Sequence, residues 1–129
     1  MRVRRAFDLS PEDVRALEAI GRPWEAVKSA GSRFLLIHGH PVPSGYNHAS
    51  VEVAIKLDVY PPGPLDMAYV YPVLAREDGK TINNLAMLEI DGRAFQQWSR
   101  HYGFRSGVDT LSSHLRRFRS WLTHEFRKR

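Results

Sequence analysis

Helical spacing of apolar positions marks both ends of the chain, and strand spacing marks its middle. Near the N-terminus, Val14, Leu17 and Ile20 share one helical face. Ser10 stands as N-cap, Pro11 at the first helical position and Asp13 three residues beyond the cap, with Leu9 placed to staple onto Val14. Gly21 and Pro23 end the element. Trp24 to Ala30 fits a further helical turn or a strand, and the pattern leaves it open. Phe34 to Ile37 is a short apolar run of the buried-strand kind, followed by a loop from Gly39 to Asn47 punctuated by proline and glycine. Val51, Val53, Ile55 and Leu57 then alternate with Glu52, Ala54 and Lys56, which predicts a strand with one face in the core and the other in water.

The run Tyr60-Pro61-Pro62-Gly63-Pro64 interrupts this ladder because its prolines lack an amide donor. A strand resumes from Met67 to Leu74, with Tyr69 and Tyr71 on one face and Ala68 and Val70 on the other, and Asp78-Gly79 turns the chain after it. Between Thr81 and Gly107, Ile82, Leu85, Met87, Leu88 and Ile90 follow neither period for long. The final helix, capped by Asp109 or Thr110, carries Leu111, Leu115, Phe118, Leu122 and Phe126 along one face. Burial of each of these contributes about 1.5 to 3 kcal/mol before conformational entropy is subtracted.

Composition narrows the picture. At 129 residues and 43% hydrophobic content the chain suits one compact domain over residues 1–129, with a core from about 10 to 124 and a basic end at 125–129. No apolar stretch approaches a membrane span and no signal-peptide pattern follows Met1, so a soluble, cytoplasmic protein is expected. There is no cysteine, which excludes disulfides, thiolate metal sites and thiol catalysis. The net charge of +5 comes from Arg116, Arg117, Arg119, Arg127, Lys128 and Arg129 against Glu125. Such a helix face is ordinarily solvated and matched to the negative helix end; nucleic-acid binding through it is a third reading, behind the two given below.

Metal and hydrolase chemistry find little support. His38 and His40 would share a strand face, with His48 as a conceivable third ligand, but no carboxylate lies nearby in sequence, and neither a metal nor a cofactor is expected. No nucleophile elbow, zinc-protease helix or phosphate loop is present.

More specific strings then come together: Pro43-Ser44-Gly45-Tyr46-Asn47, Tyr60-Pro61 closing on Pro64-Leu65-Asp66-Met67, Gly92 to His101 with its Trp98-Ser99-Arg100-His101 end, Gly107 to Leu111, and His114. With the element order, these resemble prokaryotic family E of the ubiquitin-conjugating-enzyme superfamily, from about Ser10 to Trp121. The resemblance implies an α+β ubiquitin-conjugating-enzyme-like fold: an N-terminal helix, an antiparallel meander, an irregular active-site-like segment and a C-terminal helix. It also implies bacterial partners: a ubiquitin-like modifier, often in tandem repeats, a ThiF-like activating enzyme and a JAB-type peptidase. Relatives carry the modifier on a cysteine that follows a glycine, for which Gly92 is a plausible counterpart, placing Ala94 near the missing nucleophile.

Without a thiol, the expected role is a non-catalytic scaffold that binds the modifier, the activating enzyme or both. Candidate binding residues are Tyr46 and Asn47, Tyr60, Trp98 and Arg100, and Arg116 and Arg119 on the basic helix. The competing expectation is an enzyme in which Ser99 forms an oxyester, with His101 as base and Arg100 or a backbone amide holding the oxyanion. Two residues apart, Ser99 and His101 share a face only in an extended segment. Asn83 and Asn84 are read as a turn rather than as oxyanion donors.

Overall fold

Ser10 accepts from the Asp13 amide at 3.1 Å and starts helix α1, Pro11–Ile20, while Gly21 ends it in the left-handed conformation. Six strands follow: β1 Trp24–Ser29, β2 Ser32–Pro41, β3 Ser50–Lys56, β4 Met67–Tyr71, β5 Leu85–Ile90 and β6 Arg93–Ser99. Helix α2, Leu111–His124, and a turn of 3-10 helix, Glu125–Arg127, complete this α+β chain. The computed structural model describes residues 3–100 and 102–127, so His101, Lys128 and Arg129 lie outside the described residues. The sheet has the order β1-β2-β3-β4-β6-β5, and every neighbouring pair is antiparallel.

The ambiguous Trp24 segment is therefore a strand, and β2 continues past the apolar run to Pro41, which shortens the predicted loop. A register shift between Ile37 and His40, with Gly39 at φ 67, adds one residue to β2. That bulge overturns the expected pairing of His38 with His40. His40 is buried against Phe118 at 5.5 Å between ring centres, whereas His38 sits between Glu25 and Glu52 at 2.8 and 2.9 Å. Among the described residues no group of three or more potential ligands could hold a metal.

Both faces of the sheet are apolar over much of their area. On the first, α1 and α2 cover Leu17, Val53, Ile55, Trp98, Leu115 and Phe118 in one continuous core. On the second, Val27, Phe34, Leu36, Ala54, Tyr69, Ile90 and Phe95 form a smaller cluster. The expected wet face of β3 is thus wrong at Ala54, because the β5–β6 hairpin curls over it. The Asp91 amide donates to Ser29 Oγ at 2.9 Å, Arg4 joins Glu25 and Asp91 at 2.9 and 2.7 Å, and Arg93 pairs with Glu52.

The hairpin itself corrects the irregular reading of this stretch. Asp91 and Gly92 lie at φ 53 and φ 80, the two left-handed positions of a type I′ turn between Ile90 and Arg93. Gly92 is therefore a hairpin turn residue, and Ala94 lies on β6 opposite Glu89. β4 ends at Tyr71, short of Leu74, and irregular connections run from Pro72 to Asn84 and from Tyr102 to Thr110.

Candidate functional site

The end of β6 and the residue after it hold Trp98, Ser99 and Arg100, three of the residues singled out by sequence. Trp98 is fully buried and donates from Nε1 to Gln96 Oε1 at 2.9 Å, while the Gln96 amide brackets the Leu74 backbone at 3.0 Å on both its N–H and C=O. Arg100 lies over the Trp98 ring at 4.8 Å and donates to the Ser99 carbonyl at 2.8 Å and to Glu125 at 3.4 Å. Arg100 thus fastens this segment to the C-terminal end of α2, while Trp98 and Gln96 tie β6 to the Leu74 segment.

The tyrosines are likewise spent on packing. Tyr46, 4% exposed, donates to the Leu122 carbonyl at 2.6 Å and meets Phe126 edge-on at 4.8 Å. Tyr60, 7% exposed, accepts from the Leu111 amide at 2.9 Å and donates to Asp13 Oδ1 at 3.1 Å, joining the start of α2 to α1. Burial raises both phenols above the ordinary tyrosine value. Tyr46, Tyr60 and Trp98 are consequently unavailable as surface contacts, because an aromatic ring with a satisfied polar end belongs to a core. Asn47 is exposed but ties its loop to the next, exchanging hydrogen bonds with Ala75 at 2.8 and 2.9 Å. Arg116 and Arg119 are exposed on α2, as expected.

Ser99 ends β6 in extended conformation, half-buried, and accepts from Gln97 Nε2 at 3.1 Å. It lines a recess of about 350 Å³ with Asn84, Leu85 and Ala86. Asn84 is left-handed at φ 59, and its carbonyl accepts from the Ser99 amide at 3.4 Å, in keeping with the turn reading. Gln97 also lines the larger neighbouring cavity of about 630 Å³, between Tyr69, Leu88 and the Asp58 to Met67 loop. The predicted partner of Ser99, His101, lies outside the described residues.

A different histidine occupies the segment. His114 is fully buried; its Nε2 donates to the Met67 carbonyl at 2.9 Å, and its Nδ1 accepts from the Tyr102 hydroxyl at 2.7 Å. Burial lowers the imidazole and pushes the Tyr102 phenol up to about 12, so both stay neutral near pH 7. Arg117 covers the Tyr102 ring at 4.1 Å and reaches Asp109, whose carboxyl the Arg105 amide holds down to about 2. Thr110, not Asp109, is the N-cap of α2. Met67 is also the residue opposite Ser99, yet alternation along β6 directs Ser99 with Gln97 and Phe95 to the second face, whereas His114 packs on the first. Sequence reasoning overlooked the Tyr102–His114 pair; the residues lie twelve apart across an irregular connection, and no spacing rule joins them.

The family model described as Prokaryotic E2 family E matches residues 9–125 of the chain. No curated protein and no solved structure matches it.

Proposed function

The chain belongs to prokaryotic E2 family E, and from that premise we propose that it serves a bacterial ubiquitin-like modification pathway as a docking protein that does not carry the modifier. The observation that carries this reading is chemical: none of the 129 residues is a cysteine. A hydroxyl replaces a thiol only with a base and an oxyanion site aimed at it. The contacts of Ser99 support the reading, since its hydroxyl accepts from Gln97 and the buried imidazole of His114 is committed on the opposite sheet face. The partners of such a protein are a ubiquitin-like modifier, a ThiF-like activating enzyme and a JAB-type peptidase in the same pathway. Cytoplasmic action fits this role, and among the described residues no helix is long and apolar enough to cross a membrane.

The rival reading, an oxyester carried on Ser99, has one observation in its favour: the hydroxyl borders an open recess beside Asn84. Purified modifier, activating enzyme and ATP, incubated with the chain, separate the two. The docking reading expects a stable complex without a covalent adduct, unchanged by Ser99→Ala. A hydroxylamine-labile adduct that disappears in Ser99→Ala overturns it.

A further inference from the structure

The two edges of the sheet differ in what covers them. β1 is shielded by the preceding chain: the Ala26 amide donates to the Arg4 carbonyl at 2.9 Å, and the Ala6 amide donates to the Ala26 carbonyl at 2.8 Å. β5, at the other edge, pairs with β6 alone. In a type I′ turn the flanking residues, here Ile90 and Arg93, form a hydrogen-bonded pair, and such pairs recur at every second residue. The Ser99 amide on the Asn84 carbonyl fits the same alternation. Ala86, Leu88 and Ile90 therefore spend their backbone groups on β6, while those of Leu85, Met87 and Glu89 point outward. Among the described residues no backbone hydrogen bond reaches these outward groups.

This edge is lightly guarded, with Glu89 as its one charged residue. Leu85–Ile90 contains no lysine, arginine or proline, its register with β6 is unbroken, and Met87 is 55% exposed. Recesses flank it on both faces. One of about 300 Å³ has Leu74, Ile82 and Leu85 in its wall, all from the helix-covered core. The recess at Ala86 and Ser99 and the cavity at Leu88 open on the other face. An added strand sends alternate side chains to opposite faces, which is the arrangement these recesses accept.

We infer that β5 is a docking strand, to which an extended segment of a partner polypeptide, apolar at alternate positions, adds by backbone hydrogen bonds to Leu85, Met87 and Glu89. A second copy of the chain fits less well. Antiparallel self-pairing about Met87 sets Glu89 against Leu85 and its apolar recess, and pairing about Leu88 sets Glu89 against Met87. The inference stands on the strand order and needs no particular pathway.

The probe is an acetylated, amidated peptide of about eight residues that alternates leucine with threonine between terminal lysines, compared with its analogue N-methylated at alternate amides. Binding of the first should slow amide hydrogen exchange at Leu85, Met87 and Glu89 by about tenfold or more, leaving Ala86, Leu88 and Ile90 little changed. Met87→Pro removes an outward amide and should weaken the peptide about tenfold with the tryptophan fluorescence of the fold preserved; should that variant fail to fold, the N-methylated peptide, which should not bind, gives the same answer. No binding at about 1 mM peptide, equal binding of the N-methylated analogue, or slowing spread evenly over all six residues overturns the inference. So does protection of Met87 in the absence of peptide together with a dimer in sedimentation, which would assign the edge to a second copy.

Discussion

The two faces of the sheet are closed by different physics. Over the first, helices lay down a broad apolar core, and tyrosine hydroxyls fix the helices in place from within it. Over the second, a small apolar cluster is rimmed by charge, with Arg4, Glu25, His38, Glu52, Arg93 and Asp91 linked from β1 to the hairpin turn. The first face resists salt and depends on shape; ion pairs at the second are partly exposed and screened. Conspicuous aromatic motifs thus mark architecture here, whereas the exposed positions are a plain edge strand, Leu85–Ile90, and the arginines Arg116 and Arg119 of α2.

Removing the largest fully buried side chain tests the first face most severely. Trp98→Ala should cost about 3 to 5 kcal/mol in urea denaturation, because it opens a cavity and strands the Gln96 network. A cost under about 1 kcal/mol would mean the helix-covered core is not the main source of stability. Tyr60→Phe should cost about 1 to 3 kcal/mol, since the Leu111 amide loses its acceptor in a buried position, and the loss should not depend on salt.

The smallest effect separates the faces by pH. Burial holds His40 and His114 below 6.5, so the unfolded chain takes up protons first, and their contribution begins to fall as pH drops below 6.5. Arg4 holds Glu25 at about 2, so its contribution is complete above 4.5 and disappears as pH falls from 4.5 towards about 2. Denaturation midpoints measured across both windows should lose part of the upper slope in His114→Gln, with His40 supplying the rest, and part of the lower one in Glu25→Gln, with Asp91 and Asp109 supplying more. If both variants flatten the same window, the separation of the faces is wrong.

How far the sequence carries depends on whether local and tertiary demands agree. Helix α1 reads correctly because Ser10, Pro11 and Gly21 state its limits locally, and α2 because its apolar residues keep one face. The hairpin escapes notice because Ala86, Met87 and Leu88 are apolar on both faces of a strand with solvent on one side and a curled sheet on the other. Its signal was the Asp91-Gly92 pair, which suits a type I′ turn. Within the candidate site, Ser99 lies extended as one of the two conformations required, and Arg116 and Arg119 are exposed. Tyr46, Tyr60 and Trp98 mislead because a tyrosine or tryptophan beside prolines and glycines looks like a contact residue until its hydroxyl or indole finds a partner far away in the chain.

The extra residue at Gly39 divides the labour of two neighbouring histidines. One ring goes to a dry setting against Phe118, the other to a berth between carboxylates. Deleting Gly39 would leave a regular ladder with both rings where they are, whereas straightening the strand with Gly39 retained would swing one ring onto the face of the other. The bulge is consequently what lets two histidines spaced two apart serve opposite faces.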